Sequence, residues 1–194
     1  MFEEIDKKLI KNMNNEALTQ EKMAQLFDKK EKLPKRNKMG EELFLYRHRH
    51  SDEIVPGQFS NQANYYVIND SGQVCGKIDA TVANVKAANQ VEVEYWQIEE
   101  HRNKGNVSIA LEGVLNDIFV NKALNGLPIK LGRISNIQMV FLAINPNNLA
   151  SQKVAEKTGF TQANEDTYIL TLAEYLSRIK STNVKTSDEG PQIC

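Results

Sequence analysis

Two stretches of the sequence carry side chains whose types and spacing could do chemistry. The first is Glu100-His101-Arg102-Asn103-Lys104-Gly105-Asn106-Val107-Ser108. It follows a strand-like alternation and opens a helical pattern, so the amides from Arg102 to Val107 would stand at a helix N-terminus. Unpaired N–H groups and a partial positive charge collect there. Gly105 lets the backbone come close to a ligand, and Arg102 and Lys104 add charge, a combination suited to a pyrophosphate. The second stretch runs from Asn145-Pro146-Asn147-Asn148 to Lys157-Thr158-Gly159-Phe160 and reads as a capped helix with a glycine stop. Where two parallel strands end side by side and each feeds a helix, a crevice is left at their carboxyl ends.

The elements that must position these stretches are legible from periodicity. Tyr65-Tyr66-Val67-Ile68 and Val74 to Val82 read as a hairpin around the turn Asn69-Asp70-Ser71-Gly72. Val91 to Ile98 alternates as a half-buried strand does, and Gly105 to Val120 places Val107, Leu111, Val114, Leu115 and Ile118 on one helical stripe. Asn121 to Asn136 reads as a long connection. Ile137 to Ile144 is nearly all apolar, as a strand covered on both faces should be, and Asn145-Pro146 ends it. A helix over 149–157 and a last strand over 167–172 follow. The helix from Gly105 would cross between strands 91–98 and 137–144 and make them parallel neighbours. The fold class expected is a mixed α/β (α+β) domain with one sheet.

Residues before 60 are less clear. Phe2, Ile5, Leu9, Ile10 and Met13 recur at helical spacing, and a second helix is expected from Thr19 to about Phe27. Leu43-Phe44-Leu45-Tyr46 fits a strand or a helical turn. The run Lys29-Lys30-Glu31-Lys32-Leu33-Pro34-Lys35-Arg36-Asn37-Lys38 reads as a solvated loop, with a mobile lip over an acidic or phosphorylated ligand as the alternative. The tail from Lys180 onward is expected to be loose.

With 24 basic and 25 acidic side chains in 194 residues, the net charge of −1 argues against nucleic acid as a direct partner. That balance hides an uneven chain: residues 1–50 hold 12 basic against 9 acidic groups. No apolar run approaches a membrane span, the acidic start is unlike a signal peptide, and a cytoplasmic location is expected. Cys75 and Cys194 make neither a disulfide framework nor a zinc site, and Cys75, mid-strand, reads as a small buried hydrophobe. His48 and His50 lack a third ligand, so no metal is expected.

Tyr95 to Gly105, followed by Asn145-Pro146-x-Asn148-x-x-Ser151-x-x-Val154-Ala155-Glu156-Lys157-x-Gly159-Phe160, resembles the GNAT (Gcn5-related N-acetyltransferase) family. Within it the pattern is most similar to the ribosomal-protein-alanine N-acetyltransferase type. The resemblance covers roughly 64–175, which would be the cofactor-binding core of a single domain over 1–180. Residues 1–60 would form an N-terminal helical, substrate-side region, and 181–194 a flexible tail. It implies a central mixed, mostly antiparallel sheet with a splayed parallel strand pair, flanked by helices.

The resemblance further implies acetyl-CoA as co-substrate, without a metal. Its diphosphate would sit on Arg102, Asn103, Lys104, Gly105, Asn106 and Val107. Its pantetheine arm would pair with the strand edge at Trp96, Gln97 and Ile98, and Asn148 would fix the splay or touch that arm. Glu92 matches the family's base glutamate. Glu94, two residues on, shares its face unless a bulge intervenes. Both fit equally well an exposed strand face. The N–H near Gln97 or Ile98 would stabilise the oxyanion, and Ser151 would protonate the departing thiolate, unless it only bonds within its helix turn. Two positions depart from the family: Val107 replaces a small residue, and Ala155 replaces a tyrosine general acid.

Tyr95 and Trp96 are expected in the core, with Trp96 shaping the acceptor pocket, and His101 is expected to be exposed. The acceptor implied is a primary amine, with a protein N-terminus favoured over a polyamine, amino acid or aminoglycoside. A non-catalytic acyl-CoA sensor is the alternative of another class, and a homodimer is left open.

Overall fold

The computed structural model describes residues 27, 29–50, 53–55, 58–59, 62–82, 89–125, 128–129, 132–134 and 136–187. The strands are β1 (Lys29–Lys32), β2 (Leu43–His50), β3 (Glu53–Val55), β4 (Gln58–Phe59), β5 (Gln62–Asn69), β6 (Val74–Val82) and β7 (Gln90–Gln97). Helix α1 (Asn106–Phe119) follows, then β8 (Pro128–Ile129), β9 (Gly132–Arg133) and β10 (Met139–Ala143). Helix α2 (Leu149–Lys157), β11 (Thr161–Gln162), β12 (Thr167–Thr171) and helix α3 (Leu172–Ser187) complete the order. Eight strands form the main sheet in the order β1-β2-β5-β6-β7-β10-β12-β11. Every neighbouring pair is antiparallel except β7 and β10, which run parallel, as the crossover through α1 requires.

Alternation sorts the side chains onto two faces. Leu43, Leu45, Tyr65, Val67, Ile78, Ala80, Val91 and Val93 pack with the stripe of α1 (Ala110, Leu111, Val114, Leu115, Ile118) in the main core. Tyr46, Tyr66, Ile68 and Val74, with Phe44, Trp96 and Ile98 against them, form a smaller cluster on the opposite face. The ring of Phe27 packs there, 5.3 Å from those of both Tyr46 and Tyr66.

The first fifty residues differ most from expectation. The helices expected over 2–13 and 19–27 lie outside the described residues, apart from Phe27. What is described of residues 1–60 is strand and turn rather than helix: Leu43 to His50 pairs in full with β5, and Lys29 to Lys32 adds an edge strand. The basic run is therefore no free lip over its length. Lys29 reaches Asp117 at 2.6 Å, Lys32 reaches Glu42 at 2.7 Å, Lys35 reaches Glu112 at 2.5 Å and Arg36 pairs with Glu42.

Asp117 on α1 explains why β1 and β2 attach. Its carboxylate, 1% exposed, accepts from Lys29 Nζ, from Arg47 Nη1 at 2.7 Å, from the Tyr65 hydroxyl at 3.1 Å and from Asn121 Nδ2 at 3.1 Å. Burial alone would raise this carboxyl. The hydrogen bonds from Lys29 and Asn121 and the charge of Arg47 outweigh burial and hold it below the ordinary value.

Two further expectations are revised. The connection after α1 carries the short ladder β8–β9. The chain remains helical to Ser187, where the sequence suggests a loose tail, because Tyr175, Leu176 and Ile179 are spaced to lay one side of α3 on the core. No helix among the described residues is long and apolar enough to cross a membrane.

Candidate active site at the splayed strands

Strands β7 and β10 pair only from Gln90 to Glu92 against Met139 to Phe141. Beyond Glu92 strand β7 continues to Gln97 beside β6, while β10 turns away beside β12. A crevice therefore opens between the carboxyl ends of the two strands, with Glu92 at its apex. Its floor is bridged by one hydrogen bond: the Tyr95 hydroxyl donates to the Ser151 carbonyl in the first turn of α2, at 3.1 Å.

The main chain of β7 decides which groups face that crevice. Ile98 N–H donates to the Cys75 carbonyl at 3.1 Å, so it is committed to β6 and unavailable to a ligand. Successive residues of a strand point their amides to opposite sides. Gln97, and Tyr95 before it, therefore direct N–H and C=O into the crevice, while Trp96 directs them toward β6. Of the expected edge Trp96-Gln97-Ile98, Gln97 alone offers main-chain groups there. The Trp96 side chain packs in the smaller cluster beside Tyr46 and Tyr66.

The loop after β7 makes the second half of the site. Glu99 to His101 form a single 3-10 turn, Asn103 sits at φ 61°, and Gly105 caps α1 at φ 85°. This is left-handed backbone, which a side chain tolerates poorly. No side chain caps α1, so its first N–H groups are free for an anion. Arg102 is exposed, with Glu99 3.9 Å away, and Lys104 is half-buried. Val107 is buried, so its bulk is accommodated within the protein.

Asn106 is 1% exposed and braces the loop from within: its Nδ2 donates to the His101 carbonyl at 3.3 Å, and its Oδ1 accepts from Asn37 Nδ2 at 2.9 Å. Gln97 Nε2 also donates to the His101 carbonyl. His101 itself is buried, at 7% exposure, where the sequence suggests an exposed residue. Burial, and then the charge of Lys104, keep its imidazole below the ordinary histidine value. Its Nδ1 has no hydrogen-bond partner among the described residues.

On the face away from α1, strand register lays His48, Asn64, Asp79 and Glu94 side by side across four strands. Glu92 is the next outward-facing residue on β7, opposite Thr81. The β6–β7 register is regular from Val91 to Gln97, so no bulge separates Glu92 from Glu94 and they share this face. Glu94 is exposed and Glu92 half-buried. Burial, then the neighbouring charge of Glu94, raise the Glu92 carboxyl above the ordinary value. Lys77, 4% exposed, pairs with Asp79 at 3.0 Å and stands over the Tyr66 ring.

Asn148 is spent as the cap of α2, its Oδ1 accepting from Ser151 N–H at 3.1 Å. Ala155 is fully buried, and its methyl has no acidic hydrogen, so no proton donor comes from that position. Burial pushes the Cys75 thiol up to about 12, consistent with the small hydrophobe expected from sequence. Among the described residues no group of three or more His, Cys, Asp or Glu could hold a metal ion. The contributions of Asn37, Glu41 and Tyr95 have no sequence signal of their own, since each acts through a partner 56 or more residues away or through a loop fold.

Comparison with known proteins gives one family match. Residues 13–161 fit the family model of the acetyltransferase (GNAT) domain, a longer stretch than the 64–175 legible from motifs. A search of curated proteins finds no significant match. Among solved structures, a GNAT-family acetyltransferase from Bacillus anthracis is 17% identical over 57% of this chain and 66% of its own, with a TM-score of 0.46. Spermidine N-acetyltransferase from Vibrio cholerae, in complex with CoA and spermine, is 14% identical over 60% and 69%, with a TM-score of 0.48. The chain thus spans about two thirds of the structures it matches. With the family model covering most of its length, the chain belongs to the GNAT acetyltransferase family.

Proposed function

We propose that the protein acetylates a primary amine from acetyl-CoA by direct transfer in a ternary complex, with a protein N-terminal amine as the acceptor. The observation that carries the chemistry is Glu92 at the apex of the splayed strands, with its carboxyl raised by burial and by Glu94. Acetyl-CoA fits the residues present: an uncapped α1 N-terminus behind a left-handed Gly105 suits a diphosphate, and the crevice edge at Gln97 suits an extended amide arm. Bound there, it supplies an activated acetyl thioester.

The chain's own residues then have three tasks. Glu92 takes a proton from the substrate ammonium, directly or through water, so that the neutral amine can attack, and Glu94 on the same face is its alternate. Gln97 N–H meets the negative charge that develops on the thioester oxygen. The Ser151 hydroxyl gives a proton to the departing sulfur and takes one in turn from the nitrogen of the tetrahedral intermediate, which leaves a neutral amide and a free thiol.

The N-terminal acceptor rests on the motif pattern, Asn148-x-x-Ser151 with the Glu156-Lys157-x-Gly159-Phe160 ending. A small polycation is the second reading. It is favoured by the file of Asp79 and Glu94 beside Glu92 on the sheet face, which would attract several ammonium groups.

Thermal shift with acetyl-CoA, then thiol release against peptides and amines, tests both. Stabilisation by acetyl-CoA with turnover on peptides is the expected result. Turnover on polyamines alone would transfer the proposal to the second reading, and absence of any stabilisation would overturn it.

A further inference from the structure

The basic run before β2 holds six cations, and five are accounted for. Lys29, Lys32, Lys35 and Arg36 pair with carboxylates, and Lys30 lies over the Phe44 and Tyr46 rings, 4.8 and 5.3 Å from their centroids. Lys38 alone of the six forms no ion pair, hydrogen bond or cation–π contact through its ammonium among the described residues, and it is exposed. Its place in the fold is nevertheless fixed. Lys38 N–H donates to the Lys104 carbonyl at 2.9 Å. Next to it, Asn37 is 6% exposed, donates to Asn106 Oδ1 at 2.9 Å and to Glu41 Oε2 at 2.5 Å, and accepts from Met39 N–H and Glu41 N–H, each at 2.9 Å.

The loop from Leu33 to Glu42 is thus clamped onto the loop before α1 by a buried polar cluster. The stem of Lys38 lies against Gly105: a Cβ added at that glycine would be 3.8 Å from Lys38 Cγ. A lysine held this way has its stem beside Gly105, the residue before the uncapped N-terminus of α1, on the loop that carries Lys104 and Arg102 and where Glu99, 3.9 Å from Arg102, is a weak counter-charge. Beneath the same loop the buried His101 keeps an unpartnered Nδ1. Bringing a further uncompensated cation to this point is electrostatically unfavourable in the absence of an anion.

We infer that Lys38 is a cofactor-binding residue, the third cation of the cradle that holds the diphosphate of CoA, delivered by the loop over 33–42 from outside the motif that carries the rest. This rests on the proposed acetyl-CoA site and adds to it a residue sixty-odd positions upstream. The ligand chemistry it serves is a dianionic diphosphate, and the adenosine 3′-phosphate is the other anion the same molecule could offer.

The test measures the affinity of the full chain for CoA, 3′-dephospho-CoA and S-acetylpantetheine, before and after Lys38→Ala. Losing one charge-assisted contact weakens CoA and dephospho-CoA alike by about tenfold, with Lys38→Arg restoring most of it. S-acetylpantetheine, which lacks the diphosphate, is bound equally by both. Unchanged CoA affinity in Lys38→Ala, or an equal loss toward S-acetylpantetheine, overturns the inference. A loss toward CoA that dephospho-CoA does not share overturns the diphosphate assignment. If the unsubstituted protein fails to bind CoA, the acetyl-CoA site itself is refuted, a result separable from all the others. Because Lys38 is exposed, a shift in Tm of the unliganded variant is not expected and is recorded as the folding control.

Discussion

Gly76 offers the sharpest perturbation of the crevice without touching a residue that lines it. It stands on β6 directly opposite Gln97. A Cβ built there would lie 2.6 Å from the Trp96 carbonyl oxygen and 3.3 Å from Gln97 Cα. Ordinary contact begins at 3.4 Å, so the Trp96 oxygen must retreat by about 0.8 Å. Both neighbours are backbone, and that backbone is held from beyond by Ile98 N–H on the Cys75 carbonyl and by the Gln97 side chain on the His101 carbonyl. Beyond Glu92 the side of β7 away from β6 is the open crevice, so a shift of β7 that relieves the clash moves it into the crevice. The Gly76→Ala variant should lose about 1–3 kcal/mol to overpacking, or about 2–12 °C in Tm for a chain of this size.

The larger effect should be kinetic. Displacing Gln97 N–H by most of an ångström misplaces the acetyl group, and errors of that size cost up to about 100-fold in rate. The assay is initial-rate thiol release from acetyl-CoA with an accepted amine, well below the Tm of either form. Gly72→Ala is the control. Gly72 has φ 79° with no atom within 4 Å of an added Cβ, so strain alone should cost about 1–2 kcal/mol and leave the kinetics intact. A Gly76→Ala variant that is destabilised but keeps full kcat/KM would refute the placement of transfer at the Gln97 edge. One with unchanged Tm would refute the close approach itself.

Other substitutions follow from the same geometry. Glu92→Gln should lower kcat by about 100- to 10,000-fold. As a base, Glu92 must be ionised, so kcat/KM should fall as pH drops through its raised pKa. Glu94→Gln removes a charge that raises it and should move that acidic limb to lower pH; an unmoved limb would mean another group is being titrated. Asp117→Ala removes the buried carboxylate that Lys29, Arg47, Tyr65 and Asn121 share, with an expected loss of about 3–5 kcal/mol and a drop of roughly 10 °C in Tm. Lys29→Met should cost far less, since Lys29 is 30% exposed, and equal losses for the two would contradict the burial argument.

Local signals carried the two thirds of the molecule after residue 62. Strict alternation over 91–98, a helical stripe from Val107 to Ile118 and the Asn145-Pro146 stop are short-range patterns. They were enough to expect the parallel pair, the crevice and the loop at Gly105. Directions within that loop were less legible. The sequence names Ile98 as readily as Gln97 for the open edge, and only pairing with β6 commits the Ile98 amide to Cys75. His101 looks like one more polar residue in a polar run, yet a single 3-10 turn folds it inward.

By itself, the sequence determined the elements whose residues interact with near neighbours: the hairpin, the amphipathic α1, the capped α2 and the glycine that lets α1 begin uncapped. Tertiary structure alone decided how the basic first quarter is used. Asp117 gathers Lys29 and Arg47 from 88 and 70 positions away, and Asn37 reaches Asn106 across 69. Those pairs leave no periodicity or spacing to read, because each depends on two segments meeting only when the sheet has closed over α1. The charge run that looks like solvated loop is thereby divided into cations held by carboxylates or aromatic rings and one lysine whose backbone is bonded to the loop before α1.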